Sequence, residues 1–218
     1  MMFSMKRLTV DVVIAALAKR YPDVKTTLRW STPLDLLVAT ILSAQCTDKR
    51  VNLVTQSLFR KYRKPQDYLR VPVSELERDI HSCGTFRMKA RAIRESCRTI
   101  IEKFHGKVPE TMEEMITLRG VGRKTASVVL SSAFGIEEGI AVDTHVFRVS
   151  RRLGIARGRS PEAVERILMK KTHKKEWSHL SHLLIALGRD VCKAPTPLCG
   201  DCTFKRVCPS STIRSNAK

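Results

Sequence analysis

Two glycines separated by a single residue, Gly120 and Gly122, stand between two short runs of helical character. No other stretch limits the local structure of the chain so tightly. Upstream, Met112-Glu113-Glu114-Met115-Ile116-Thr117-Leu118 reads as a short helix; downstream, Ser127, Val128, Val129 and Leu130 continue an amphipathic run. Glycine tolerates positive φ, so the segment between them is predicted to be a tight hairpin that aims successive backbone N–H groups outward. The dipole of the following helix adds partial positive charge, and together they form a site suited to an anion such as a phosphate. Arg123 and Lys124 fall in the first turn of that helix, where cations oppose the dipole. A bound polyanion would account for them. A plain turn followed by a solvated helix remains open on these residues alone.

The charge balance bears on that choice. Lys and Arg number 40 against 21 Asp and Glu, a formal net charge of +19. An excess of this size argues for a polyanionic partner, nucleic acid or an acidic membrane surface. With 43% hydrophobic residues the chain can still bury a core, whereas aromatics at 6% weaken a case for single-strand binding by stacked bases. No run approaches the ~20 apolar residues of a membrane span. Residues 1–20 read as an amphipathic helix and not a signal peptide, since Asp11 interrupts the apolar stretch and no small-residue cleavage site follows.

Periodicity and caps predict an all-α chain of roughly ten helices. Thr9 or Asp11 caps a first helix to about Arg20. Pro33 opens the apolar segment 34–42, which fits a buried helix or a short strand. Thr47-Asp48 caps a helix running to Tyr62, and short helices follow near 66–69 and 73–81. A longer helix after Gly84 carries Ala90, Ile93, Cys97, Ile100 and Ile101 on one face, and Gly106 and Pro109 stop it. Further starts lie at Asp143-Thr144 and Ser160-Pro161, and a last helix from about Trp177 is expected to end at Gly188.

Seven cysteines without a secretory signal favour a reducing compartment and metal binding over disulfides. Cys192, Cys199, Cys202 and Cys208 are spaced Cys-x6-Cys-x2-Cys-x5-Cys, too dense for accidental core residues. Zinc and a [4Fe–4S] cluster both accept four Cys ligands, and the spacing alone leaves the two open. Cys46, Cys83 and Cys97 are read as buried small hydrophobes. Asp143, taken by itself, is a plausible helix N-cap.

Four segments in order, Leu42-Ser43-Ala44-Gln45, Leu118 to Ala126, Val142-Asp143-Thr144-His145 and Gly188-Arg189-Asp190-Val191-Cys192, resemble the endonuclease III family of DNA glycosylases. The family's Leu-Pro-Gly-Val-Gly-x-Lys-Thr-Ala pattern is met except at Arg119, which stands at the Pro. The resemblance implies an all-α fold of two helical domains flanking a DNA-binding cleft. One is a six-helix barrel over 26–137 containing the helix-hairpin-helix at about 111–134. The other is discontinuous, 1–25 and 138–218, with an iron–sulfur loop over 192–208.

The same resemblance implies a bifunctional glycosylase and abasic-site lyase acting on damaged pyrimidines. Lys124 and Asp143 are its catalytic pair, expected at the cleft mouth, with partial burial and Arg123 favouring the neutral amine. It implies a [4Fe–4S] cofactor on Cys192, Cys199, Cys202 and Cys208. DNA contacts are expected from Gln45, Thr85, Gly120, Val121, Gly122, Arg123, Thr125, His145 and Lys193. Gln45 would fill the vacancy left by a flipped nucleotide, and Thr85 replaces the bulky aliphatic wedge of the relatives. The partner is double-stranded DNA with a damaged base or abasic site, bound by a monomer in the cytoplasm, at the nucleoid if the source is prokaryotic. A glycosylase specific for thymine or uracil opposite guanine, and a non-catalytic metal-stabilised DNA-binding module, are the alternatives.

Overall fold

The computed structural model describes residues 8–213. Among them it contains eleven α-helices, three short 3-10 turns and no strand. The helices are α1 (Val10–Arg20), α2 (Pro33–Leu42), α3 (Asp48–Lys61), α4 (Pro65–Arg70), α5 (Val73–Asp79), α6 (Phe86–Phe104), α7 (Met112–Met115), α8 (Arg123–Phe134), α9 (Thr144–Leu153), α10 (Pro161–Lys170) and α11 (Trp177–Asp190). The chain is all-α, and among the described residues no helix is long and apolar enough to cross a membrane. The first seven residues of the N-terminal segment lie outside the described residues; α1 itself is capped by Thr9, whose hydroxyl accepts from Val12 N–H at 3.4 Å. Two compact units emerge, one spanning Thr26–Glu138 and the other joining the described residues up to Lys25 with those from Gly139 onward.

In the first unit α2 carries the core, with Leu36, Leu37, Val38, Ala39 and Leu42 buried. Its ends decide between helix and strand. The Thr32 hydroxyl accepts from Asp35 N–H at 3.1 Å, and the Asp35 carboxylate accepts from Thr32 N–H at 3.0 Å. With Pro33 at the first helical position, this reciprocal cap starts a helix where composition alone permitted either. Helices α8, α6 and α3 pack against α2. The inner face of α6 is the predicted one, with Ala90, Ile93, Cys97 and Ile100 all buried. Cys83 is buried like Cys97, but Cys46 is only half-buried, so the expectation for the three free cysteines holds for two.

In the second unit α9 and α1 pack on α11, around Val146, Val149, Leu180, Leu183, Leu184 and Leu187. Gly188 does not terminate α11, which continues to Asp190. A Cβ at 188 would lie 2.9 Å from the Cβ of His145, so glycine is needed there for the close approach of α9.

Candidate functional site

The hairpin forms as predicted between α7 and α8, closed by Val121 N–H donating to Leu118 O at 3.1 Å. Only one of its glycines uses positive φ. Gly120 sits at φ 78, and a Cβ there would lie 3.0 Å from Ala92 Cβ. Gly122, at φ −91, is in a conformation open to any residue. A Cβ on Gly122 would meet nothing within 4 Å. The missing side chain therefore leaves room in front of the α8 N-terminus that none of the described residues fills. Ser96 Oγ donates to Arg119 O at 2.8 Å and fastens the turn to α6. Arg119 itself forms an ion pair with Glu95 at 3.2 Å.

Lys124 and Thr125 project from the first turn of α8. Lys124 is exposed, so the partial burial expected of it is absent. Arg123 is also exposed, and its guanidinium donates to Glu138 O at 3.2 Å. Val121 turns its side chain into the core and presents backbone only.

Gln45 and Thr85 share an unusual backbone. They are two of the three non-glycine residues with positive φ among the described residues, at 52° and 41°. Such conformations cost on the order of 1–3 kcal/mol and persist only where neighbours hold them. A single side chain, Lys89, bridges both segments. Its Nζ donates to Leu42 O at 2.9 Å, at the end of α2, and to Cys83 O at 2.7 Å, just before Thr85. Lys89 is buried without a carboxylate partner among the described residues, and burial lowers its pKa. Sequence reasoning overlooked this residue. The available signal was its register, since Lys89 stands next to Ala90 and four residues before Ile93 on the face of α6 that has to be apolar.

In the second unit Asp143 is the N-cap of α9, its Oδ1 accepting from Val146 N–H at 2.8 Å. Its Oδ2 has no partner among the described residues. The cap fixes the side chain while leaving one carboxylate oxygen unengaged. His145 Nδ1 lies 3.1 Å from Arg148 Nη2. Arginine only donates, so Nδ1 accepts and the proton of a neutral imidazole sits on Nε2. Arg148 also donates to Gly188 O at 3.0 Å and to Cys192 O at 3.1 Å.

The four C-terminal cysteines line one pocket together with Leu187, Val191 and Pro197. Arg152 organises it, donating to Lys193 O at 2.7 Å and Pro195 O at 3.1 Å, with Nη1 3.6 Å from Cys192 Sγ. Phe204 N–H reaches Cys202 Sγ at 3.4 Å. Thr212 holds the Cys199 thiol below its usual range, whereas burial pushes those of Cys202 and Cys208 up. Among the described residues no three His, Cys, Asp or Glu side chains are grouped to hold a single metal ion. Four thiols around a common space, with N–H groups directed at sulfur, fit a multi-iron cluster. Lys193 is exposed at the edge of this loop.

Comparison with known proteins bears on the fold and the family. The family profile described as HhH-GPD superfamily base excision DNA repair protein matches residues 38–174. An endonuclease III of Synechocystis sp. is 48% identical over 206 residues, covering 94% of this chain and 94% of that protein. A non-covalent endonuclease III–DNA complex superposes with a TM-score of 0.89 at 47% identity, covering 96% of this chain and 97% of that one. A trapped endonuclease III–DNA covalent intermediate, an estranged-adenine complex, matches with the same TM-score, identity and coverage. A hairpin open at its helix N-terminus, held in a fold that agrees over nearly its full length, places the chain in the endonuclease III family of the HhH-GPD base excision DNA repair superfamily.

Proposed function

We propose that this protein is a bifunctional DNA glycosylase and abasic-site lyase of base excision repair, acting on damaged pyrimidines in duplex DNA. The observation that carries the reading is the exposed Lys124 amine in the first turn of a helix whose N-terminus is left open by Gly122. Backbone N–H groups there suit a DNA phosphate, and they bring the amine close to a sugar. The covalent endonuclease III–DNA intermediate among the similar structures is consistent with such chemistry.

Cleavage of the N-glycosidic bond builds positive charge on the sugar, which the Asp143 carboxylate stabilises through its unengaged oxygen. The neutral amine of Lys124 attacks C1′, and the base departs with the bonding electron pair and takes up a proton. Loss of the amine proton and opening of the sugar ring produce a Schiff base. The iminium acidifies the C2′ proton; its removal expels the 3′ phosphate and cuts the strand. Because a stacked base is out of reach, the nucleotide must be everted, and Gln45 on its constrained turn is suited to fill the vacancy. Hairpin residues Gly120, Val121, Gly122, Arg123 and Thr125 grip the backbone, with His145 and Lys193 adding contacts from the second unit.

Cys192, Cys199, Cys202 and Cys208 would hold a [4Fe–4S] cluster, whose contribution when bound is to cross-link the loop that carries Lys193. The protein is taken to act as a monomer, in the cytoplasm at the nucleoid if its source is prokaryotic; bacterial relatives and the +19 charge favour that location. On a thymine-glycol duplex, borohydride should attach the wild type to DNA. Lys124→Gln should abolish both attachment and strand cleavage while sparing much of the affinity. A Lys124→Gln variant that still trapped would place the nucleophile elsewhere. A mismatch-specific enzyme would instead excise thymine opposite guanine and leave thymine glycol, and a pure binding module would excise neither.

A further inference from the structure

Met88 is the most exposed large apolar side chain among the described residues, at 75%. It stands in the first turn of α6, one turn beyond Thr85. It shares a groove of about 680 Å3 with Ala44, Thr85, Arg87, Arg91, Arg119 and Gly120. A lone exposed apolar residue is ordinary on a protein surface. This one shares its groove with five arginines against two carboxylates, Glu77 and the Arg119-paired Glu95, and lies beside the hairpin turn and the segment that carries Gln45. Arginine next to protruding methionine suits a ligand that offers phosphates around an apolar, stacked interior. Duplex DNA has that chemistry, and proteins that kink it insert apolar wedges, methionine included, between base steps.

The backbone under Met88 is equally suggestive. Its neighbour Lys89 is buried with Nζ on two carbonyls, so the first turn of α6 is fixed against the load that insertion would impose. Phe86 packs on the His81 ring at a centroid distance of 4.5 Å and carries the Arg87 guanidinium at 5.2 Å. Thr85, in contrast, offers only a short, partly polar side chain from its left-handed position.

We propose that Met88 is the wedge that enters the duplex beside the everted nucleotide and holds the orphaned partner base out of the stack. In this role it is a specificity-determining residue, because the base opposite the lesion meets it directly. The inference rests on the reading of the protein as a DNA glycosylase. A fluorescent 2-aminopurine placed opposite an abasic-site analogue tests it, since emission rises when that base is unstacked, and excision of thymine glycol opposite each of the four bases gives a second readout.

Saturating wild type and Met88→Leu should both raise the fluorescence, as should Leu53→Ala, which trims a 57% exposed residue of α3 outside the groove. Met88→Ala should lose most of the rise and excise about tenfold more slowly, with a changed opposite-base preference and an unchanged melting temperature. A full rise and unaltered excision by Met88→Ala, or equal losses in Met88→Ala and Leu53→Ala, would overturn the proposal. If no variant cleaved DNA while only Met88→Ala lost the rise, the wedge would stand and the enzymatic reading would fall.

Discussion

At the scale of single residues, three polar side chains are set apart by what they do not pair with. Among the described residues, Lys124 is exposed on a helix N-terminus that already carries positive character, Asp143 caps with one oxygen and leaves the other unengaged, and Lys89 is buried without an anion. The positions of the first two, in the first turn of α8 and at the start of α9, were readable from their immediate sequence, whereas the exposure of Lys124 runs against the partial burial expected of it. Lys89 was not, because its two acceptors are carbonyls 47 and 6 residues away, and distance in sequence hides such a pair. Lys89→Met should leave both carbonyls short of a donor, at roughly 1–3 kcal/mol for each buried group. We expect a lower melting temperature, and excision reduced beyond the loss of folded protein because the Gln45 and Thr85 segments lose their common tie. Full stability and activity in Lys89→Met would refute that role. Alkali provides a second test through Cys97, where burial raises the thiol pKa from 9.0 to about 12. The unfolded thiol ionises first, so its contribution to stability is complete below pH 9 and disappears as pH climbs towards 12. Denaturant titrations across that range should show a shallower fall for Cys97→Ala than for wild type.

At the scale of elements, the hairpin separates two uses of glycine that its sequence presents as equivalent. Gly120 is required by the fold, through positive φ and the closeness of Ala92; Gly122 is required by nothing among the described residues. Gly120→Ala should destabilise by about 1–2 kcal/mol or more. Gly122→Ala should melt as wild type does but bind abasic DNA about tenfold more weakly, a difference of ~1.4 kcal/mol. The reverse pattern in calorimetry and binding would show that the open space has no occupant. The same difficulty explains what the other elements withheld. Segment 34–42 was legible as buried but not as helix until the Thr32–Asp35 cap was seen to close. Gly188 resembled a stop signal, whereas its purpose is contact with His145 on another helix. Caps at Thr9, Thr47 and Ser160 were legible because they act within three residues.

At the scale of the whole molecule, the proposed function assigns the behaviour towards DNA to the net charge and the cysteine loop. Each phosphate neutralised should steepen the log–log salt dependence of binding by about 0.9. A flat dependence would contradict the electrostatic account. Purified anaerobically, the protein should carry iron and sulfide in equal amounts with a yellow-brown absorbance; zinc without iron would overturn that assignment. Removing the cluster should unfold the 192–208 loop and weaken DNA binding. The central claim, an amine that becomes covalently joined to a sugar, is tested most directly by digesting the borohydride-reduced complex and locating the adduct by mass spectrometry. The sugar fragment should be found on the peptide containing Lys124, at its Nζ. An adduct at any other amine, or none from protein that cuts thymine-glycol DNA, would contradict the account.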